Sequence, residues 1–169
     1  IIGTLPSIFV GLGFKNQIQS LFENVFAVGI ALIFTGLFLF LSRYIKEQDK
    51  ELSIAKATII GLSQSVAIIP GVSRSGMTIT FALLLGLSSK EAAKFSFLLA
   101  IPVILGAGLI TMMDINNGFS ISMDNVLIGF FTSFITGILS LKWLLKTLEK
   151  GEFYYFGLYC IVLGVITVF

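Results

Sequence analysis

The sequence predicts an all-α, polytopic integral membrane protein: a helical bundle containing one re-entrant helix pair. Three observations predict it. The 169 residues are 56% hydrophobic and only 12% charged, with 17 phenylalanines and a mean hydropathy of +1.02, far from an ordinary soluble domain. Apolar runs at 25–41, 95–113, 126–145 and 153–169 are separated by short polar segments, and runs of this kind cross a bilayer with their flanks. Between 57 and 87, two apolar runs too short to cross flank a polar nonapeptide that holds an arginine.

In chain order, residues 1–12 are apolar and, at about 1.5 Å per residue, too short to span. They follow no basic segment of the kind that opens a signal peptide, so the chain reads as the later part of a longer membrane protein. Residues 13–24 read as a polar connection and 25–41 as the first span. Residues 43–56 are the most charged segment, with Arg43, Lys46, Lys50 and Lys56 against Glu47, Asp49 and Glu51. The runs 57–69 and 77–87 are each about 16–20 Å long if helical, against a hydrocarbon core of about 30 Å. Two readings are open for them: a re-entrant hairpin, or one span kinked at Pro70. Ser88 and Glu91 form a capping box that opens the next helix, in which Pro102 introduces a bend. Residues 114–125 form a loop with no Lys or Arg. Its Asp114 and Asp124 lack further acidic neighbours and make no metal site. The span 126–145 ends in Lys142, Trp143 and Lys146, an interfacial set. A turn at 150–152 precedes the last span, near whose start Tyr154 is an interface anchor. Cys160, the single cysteine, excludes an intrachain disulfide and reads as packing.

Positive charge chooses between the two readings. With the hairpin, the segments 43–56, 88–94 and 142–152 share one side and carry nine of the eleven Lys and Arg residues. Lys15 is then outside and Arg74 at the hairpin tip. With a full span, four would fall inside and five outside, plus Lys15. The hairpin is favoured, and its tip points towards the outer half of the membrane.

The tip is Pro70-Gly71-Val72-Ser73-Arg74-Ser75-Gly76-Met77-Thr78. An arginine at membrane depth is costly and marks a functional site, and broken helices with polar breaks build anion sites. With Ser75 as N-cap of the second half-helix, the N–H groups of Gly76, Met77 and Thr78 are its free first-turn donors, at the positive end of the helix dipole. Arg74 adds a planar fork for phosphate oxygens. Ser73, Ser75 and Thr78 add hydroxyls, and glycines allow close approach. The competing reading is a polar turn whose hydroxyls cap helices and whose arginine meets a carbonyl. The embedded arginine favours the anion cradle, and the lack of nearby carboxylates argues against a cation site.

These residues resemble the PGxSRSxxT signature of the undecaprenyl-pyrophosphate phosphatase family (bacitracin-resistance type). Phe95-Ser96-Phe97-Leu98-Leu99-Ala100-Ile101-Pro102 and Gly61-Leu62-Ser63-Gln64 also fit, so the resemblance covers most of the chain. It implies a bacterial inner-membrane enzyme of cell-wall synthesis. Such an enzyme hydrolyses undecaprenyl pyrophosphate to the monophosphate, on a fold of two inverted repeats, each with a re-entrant pair. On that resemblance the catalytic residues are Arg74, Ser73 and Thr78: Arg74 stabilises charge, while Ser73 and Thr78 hold phosphate oxygens. Gly71, Ser75 and Gly76 shape the loop, and Gln64 either faces the site or packs. The family's glutamate-rich motif and Ser-Ser-Thr-Gly-His are absent, as is any histidine. The chain therefore matches the second repeat. The missing N-terminal half would supply the nucleophile, the acid–base group and the ligands of any divalent cation (Mg²⁺ or Ca²⁺), and no cofactor is expected in this chain. The expected partners are the membrane, a polyprenyl pyrophosphate lipid and that N-terminal half. A homodimer is left open, and nothing points to nucleic acid. The alternative function is half of a transporter or flippase for a lipid phosphate.

Overall fold

The computed structural model describes residues 2–46, 48–114 and 122–169, and these are all-helical apart from turns and connections. A 3₁₀ turn at Ile2–Thr4 leads into α1 (Leu5–Gly13), followed by α2 (Lys15–Phe22) and α3 (Val25–Phe40). A 3₁₀ turn at Leu41–Tyr44 extends α3. Then come α4 (Ile54–Val66), α5 (Arg74–Leu84), α6 (Ser89–Asp114), α7 (Met123–Glu149) and α8 (Tyr154–Val168). Three of these are long and apolar enough to cross a membrane: Val25–Tyr44, Ser89–Leu109 and Met123–Glu149. The expected fold class is borne out as a helical membrane protein. The expected last span is an apolar helix of 15 residues.

Two segments differ from the sequence expectation. Residues 13–24 were expected as a connection, yet Lys15–Phe22 is helical. The segment holds no Gly or Pro beyond Gly13, and Ile18, Leu21 and Phe22 recur at helical spacing. The short pair also starts and stops earlier. α4 begins at Ile54 because the Ser53 side chain accepts the Lys56 N–H, a capping arrangement. Residues 115–121 of the expected acidic loop lie outside the described residues, and Met123 to Asn125 already belong to α7. Pro102 lies inside α6.

α3 and α8 form the most extensive helix–helix contact, and glycine explains it. A Cβ on Gly36 would lie 2.5 Å from Gly157 O, and one on Gly164 would lie 2.7 Å from Gly29 O. The pairs Gly36–Gly157 and Gly29–Gly164 run in opposite chain order, so the helices are antiparallel. Without Cβ atoms their backbones approach closely enough for dispersion to hold them in an apolar solvent. On its other side α3 packs α5, with Phe38 stacked on Phe81 at 5.1 Å. α4 packs α1 and the preceding turn, where Gly61 lies against Gly3.

One end of the bundle gathers most of the basic segments. The Lys50 N–H donates to Gly86 O at 2.9 Å, so the chain entering α4 meets the chain leaving α5. Ser42, Ile45, Ser89 and Lys150 surround a cavity of about 240 Å³ there. Arg43 lies 5.2 Å from the centroid of the Tyr154 ring at the same end, a cation–π contact.

Candidate functional site

The loop between α4 and α5 is the polar centre of the molecule, and α3 sets its position. Gly71 has φ +91°, and a Cβ there would lie 2.5 Å from Val28 O and 2.9 Å from Ala31 Cβ. The loop backbone therefore lies directly on α3 at a conformation that favours glycine. Thr35, the single polar residue of α3 and 0% exposed, ties the loop down twice. Its hydroxyl donates to Gly71 O at 3.1 Å and accepts the Ser73 N–H at 3.2 Å. Thr35 lies near the middle of the Val25–Tyr44 stretch, so the loop sits halfway along a membrane-length helix. Irregular backbone at that height must find partners inside the protein, and Thr35 provides them. Sequence reasoning missed this residue, although a lone hydroxyl in an otherwise apolar span was the available signal.

The helix N-terminus is two residues earlier than expected. Ser73, not Ser75, is the N-cap of α5: its Oγ accepts the Gly76 N–H at 3.2 Å. The Met77 N–H donates to Ser73 O at 2.9 Å. Gly76 and Met77 are therefore not free donors. The N–H groups of Arg74 and Ser75 are the first-turn donors that have no acceptor among the described residues. The anion-favouring end of the helix dipole thus lies between Ser73 and Ser75.

Arg74 occupies the first position of α5 and is partly buried. Its guanidinium has no hydrogen-bond or ion-pair partner among the described residues. An arginine at the centre of a spanning helix costs about 2.5–3.5 kcal/mol, and here no carboxylate among the described residues offsets it. Ser75 stands beside it, partly buried, while Gly76 is packed against Leu39, whose Cδ1 a Cβ would meet at 2.6 Å.

Two residues of the expected set lie elsewhere. Thr78 is 1% exposed; its hydroxyl is shared between Arg74 O at 2.9 Å and Ser96 Oγ at 2.6 Å on α6. It braces the first turn of α5 from behind. Gln64 is 2% exposed and donates through Nε2 to Ser7 Oγ of α1 at 2.8 Å. The structure thus joins Gln64 to α1. Both positions follow from helical register: α4 turns its Gln64 face to α1, and α5 turns its Thr78 face to α6.

Beside Ser73, Ser75 and Gly76 opens a cavity of about 310 Å³, closed by α3, α7 and α8. Trp143 and Cys160, expected as an interface anchor and a packing residue, both line it. The loop presents hydroxyls, amides and a guanidinium without a carboxylate, and no group of three or more His, Cys, Asp or Glu residues is found among the described residues. That donor set does not fit a divalent cation, which prefers carboxylate and carbonyl oxygens.

The fold and the loop define a class: a multi-pass helical membrane protein with a polar, arginine-bearing loop between two short helices, held against the middle of a membrane-length helix. Within that class the chain belongs to the bacitracin resistance protein BacA family, whose family model matches residues 1–166. It is similar to the undecaprenyl-diphosphatase of Bacteroides fragilis (strain YCH46), with 40% identity over 174 residues that cover 99% of this chain and 65% of that protein. Undecaprenyl-diphosphatase 1 of Bacillus cereus (strain ATCC 14579) is 41% identical over 171 residues, 99% of this chain and 63% of that protein. The chain thus spans just under two thirds of the length of these curated relatives. Against the undecaprenyl-diphosphatase of Methanothermobacter thermautotrophicus, 40% identical over 171 residues, it covers 94%.

Proposed function

We propose that this chain carries the phosphate-binding half of the active site of a polyprenyl-pyrophosphate phosphatase. That enzyme would convert undecaprenyl pyrophosphate to the monophosphate and recycle the lipid carrier of bacterial cell-wall synthesis. The observation that carries the reading is the Arg74 guanidinium, without a partner among the described residues, beside the N–H groups of Arg74 and Ser75, which have no acceptor among them either, level with the middle of α3. Phosphoryl transfer is mostly positioning and charge stabilisation. Arg74 grips the pyrophosphate oxygens through its planar fork, the two amides and the Ser73 and Ser75 hydroxyls orient them, and Gly71 and Gly76 keep the loop low enough for contact. Thr78 acts by holding the first turn of α5 against α6. The nucleophile, its base and any divalent-cation ligands come from an N-terminal half, since a hydroxyl nucleophile needs an adjacent base and this chain has no histidine.

The test is a chimera in which this chain replaces the matching region of the Bacteroides fragilis relative, assayed in detergent for phosphate release from undecaprenyl pyrophosphate. Release is expected from the chimera and not from this chain alone. Transfer of the lipid across a vesicle bilayer without phosphate release would establish the carrier reading instead. Robust release by the chain alone would overturn the half-site assignment while leaving the phosphatase reading. The Methanothermobacter relative, of which the chain covers 94%, makes that outcome a specific one to measure.

The same reading places α4 and α5 as a re-entrant pair in the cytoplasmic membrane, with the gathered end facing the cytoplasm and the Gly71–Ser75 loop opening outward. The Lys50–Gly86 hydrogen bond and the basic segments at that end support it. In spheroplasts, single cysteines replacing Ser53 and Ser89 are expected to react only after permeabilisation. Opposite accessibility of the two positions would sink the hairpin.

A further inference from the structure

We infer that Thr35 of α3 and Ser96 of α6 are positioning residues of the phosphate site. These two hydroxyls, on different helices, hold the loop and the first turn of α5 and so place Arg74. The inference rests on the phosphatase reading above and adds two residues from outside the Pro70–Thr78 segment. Within an apolar helix a threonine hydroxyl has a ready acceptor in the carbonyl four residues back. Thr132, Thr136, Thr147 and Thr167 all use it, at 2.7–3.0 Å. Thr35 turns away from its own helix: its two hydrogen bonds go to the loop, one donated to Gly71 O and one accepted from the Ser73 N–H.

Ser96 works through Thr78. The Thr78 hydroxyl carries one proton and donates it to Arg74 O at 2.9 Å, so in the 2.6 Å contact between Thr78 and Ser96 the donor is Ser96. Ser96 thereby ties the turn that begins with Arg74 to α6. The backbone from Gly71 to Arg74 is fixed at three atoms, Gly71 O, Ser73 N and Arg74 O, by hydroxyls that lead to α3 and α6. Thr35 and Ser96 are both buried, and neither lines the cavity beside Ser73 and Ser75. They are therefore not placed to touch a ligand there. An apolar side chain would fill either position; what the hydroxyl adds is direction. A displacement of about 1 Å from the productive geometry costs about 10²-fold in rate, so the backbone that carries Arg74 must be held as firmly as the guanidinium itself.

The test is a double-mutant cycle in the phosphatase chimera, read as kcat for phosphate release from undecaprenyl pyrophosphate in detergent. Thr35→Val keeps the shape and removes both bonds; it is expected to lower kcat about 10²-fold, and Thr35→Ser to restore most of that loss. Ser96→Ala leaves Thr78 bonded to Arg74 O and is expected to lower kcat about tenfold, the effect of one lost hydrogen bond. Both substitutions are then repeated with Arg74→Ala in place. Hydroxyls that act by placing Arg74 have little left to lose there, so each is expected to cost no more than about threefold. A role in stability alone lowers Tm and the yield of folded enzyme and leaves the kcat of the folded fraction near normal. That result in both single variants, or losses that repeat in full without Arg74, would overturn the positioning role and leave the phosphatase reading intact. If Thr35→Val does not fold, Ser96→Ala carries the same comparison. No release from the unsubstituted chimera, or no loss from Arg74→Ala alone, would overturn the phosphate-site reading and this inference with it.

Discussion

In the phosphatase chimera, Arg74→Ala is expected to lower turnover about 10²–10³-fold, which corresponds to about 2.7–4 kcal/mol of lost transition-state stabilisation. The guanidinium has no protein partner among the described residues, so its removal breaks no ion pair and should leave thermal stability unchanged or raised. That separates the variant from a folding defect: a large loss of rate with an unchanged Tm is the expected pair of results. Arg74→Lys keeps the charge but loses the two-pronged planar donor. It should recover part of the rate, with the deficit in kcat. The N–H groups of residues 74 and 75 remain in both variants, so residual binding of inorganic pyrophosphate is expected to persist. Near-normal turnover of Arg74→Ala in detergent would show that the arginine does not contact the phosphates.

Gly71→Ala is expected to inactivate by a different route. The backbone at φ +91° costs a side chain about 1–2 kcal/mol, and the new Cβ would lie 2.5 Å from Val28 O. That atom belongs to the backbone of α3 and cannot swing aside, so the loop itself must lift. Lifting it breaks the Gly71 O and Ser73 N–H contacts to Thr35 in a place where no solvent replaces them. Each buried polar group left unpaired adds about 1–3 kcal/mol. Both activity and Tm should therefore fall together. Gly151→Ala is the matched control. Its φ is +70°, and nothing lies within 4 Å of the added Cβ, so it carries the backbone penalty alone and should cost about 1–2 kcal/mol of stability with turnover retained. Similar losses in the two variants would mean that left-handed strain, and not the contact with α3, is what matters at Gly71.

Both variants act on a loop whose composition was legible in the sequence and whose support was not. The apolar runs, the helix-breaking Pro70-Gly71 pair and the single arginine between them mark the candidate site in the sequence. Each is a local property: hydropathy needs only a window of residues, and Pro and Gly restrict or free their own φ. The register of the helix start was not legible. Ser73 and Ser75 have equal intrinsic capping preference, and the choice between them fell to Ser73 because Thr35 holds the Ser73 N–H. That tie reaches 38 residues back along the chain. It also decided which amides remain free, and with them where an anion can sit.

The sequence by itself determined the membrane class, the helical architecture, the position of the broken helix and its chemistry, because composition, periodicity and turn residues act over a few neighbours. The tertiary structure alone decided what each helix turns towards its neighbours. It sent Thr78 to Ser96 and Gln64 to Ser7, and it closed α3 against α8 through Gly36 and Gly157. It also set Trp143, Phe156 and Cys160 around a space beside Ser73 and Ser75. In a chain with this many apolar residues, nearly every helical face is equally able to be buried or to meet lipid. Hydrophobicity therefore cannot choose the faces, and close packing at glycines and the pairing of a few buried hydroxyls must.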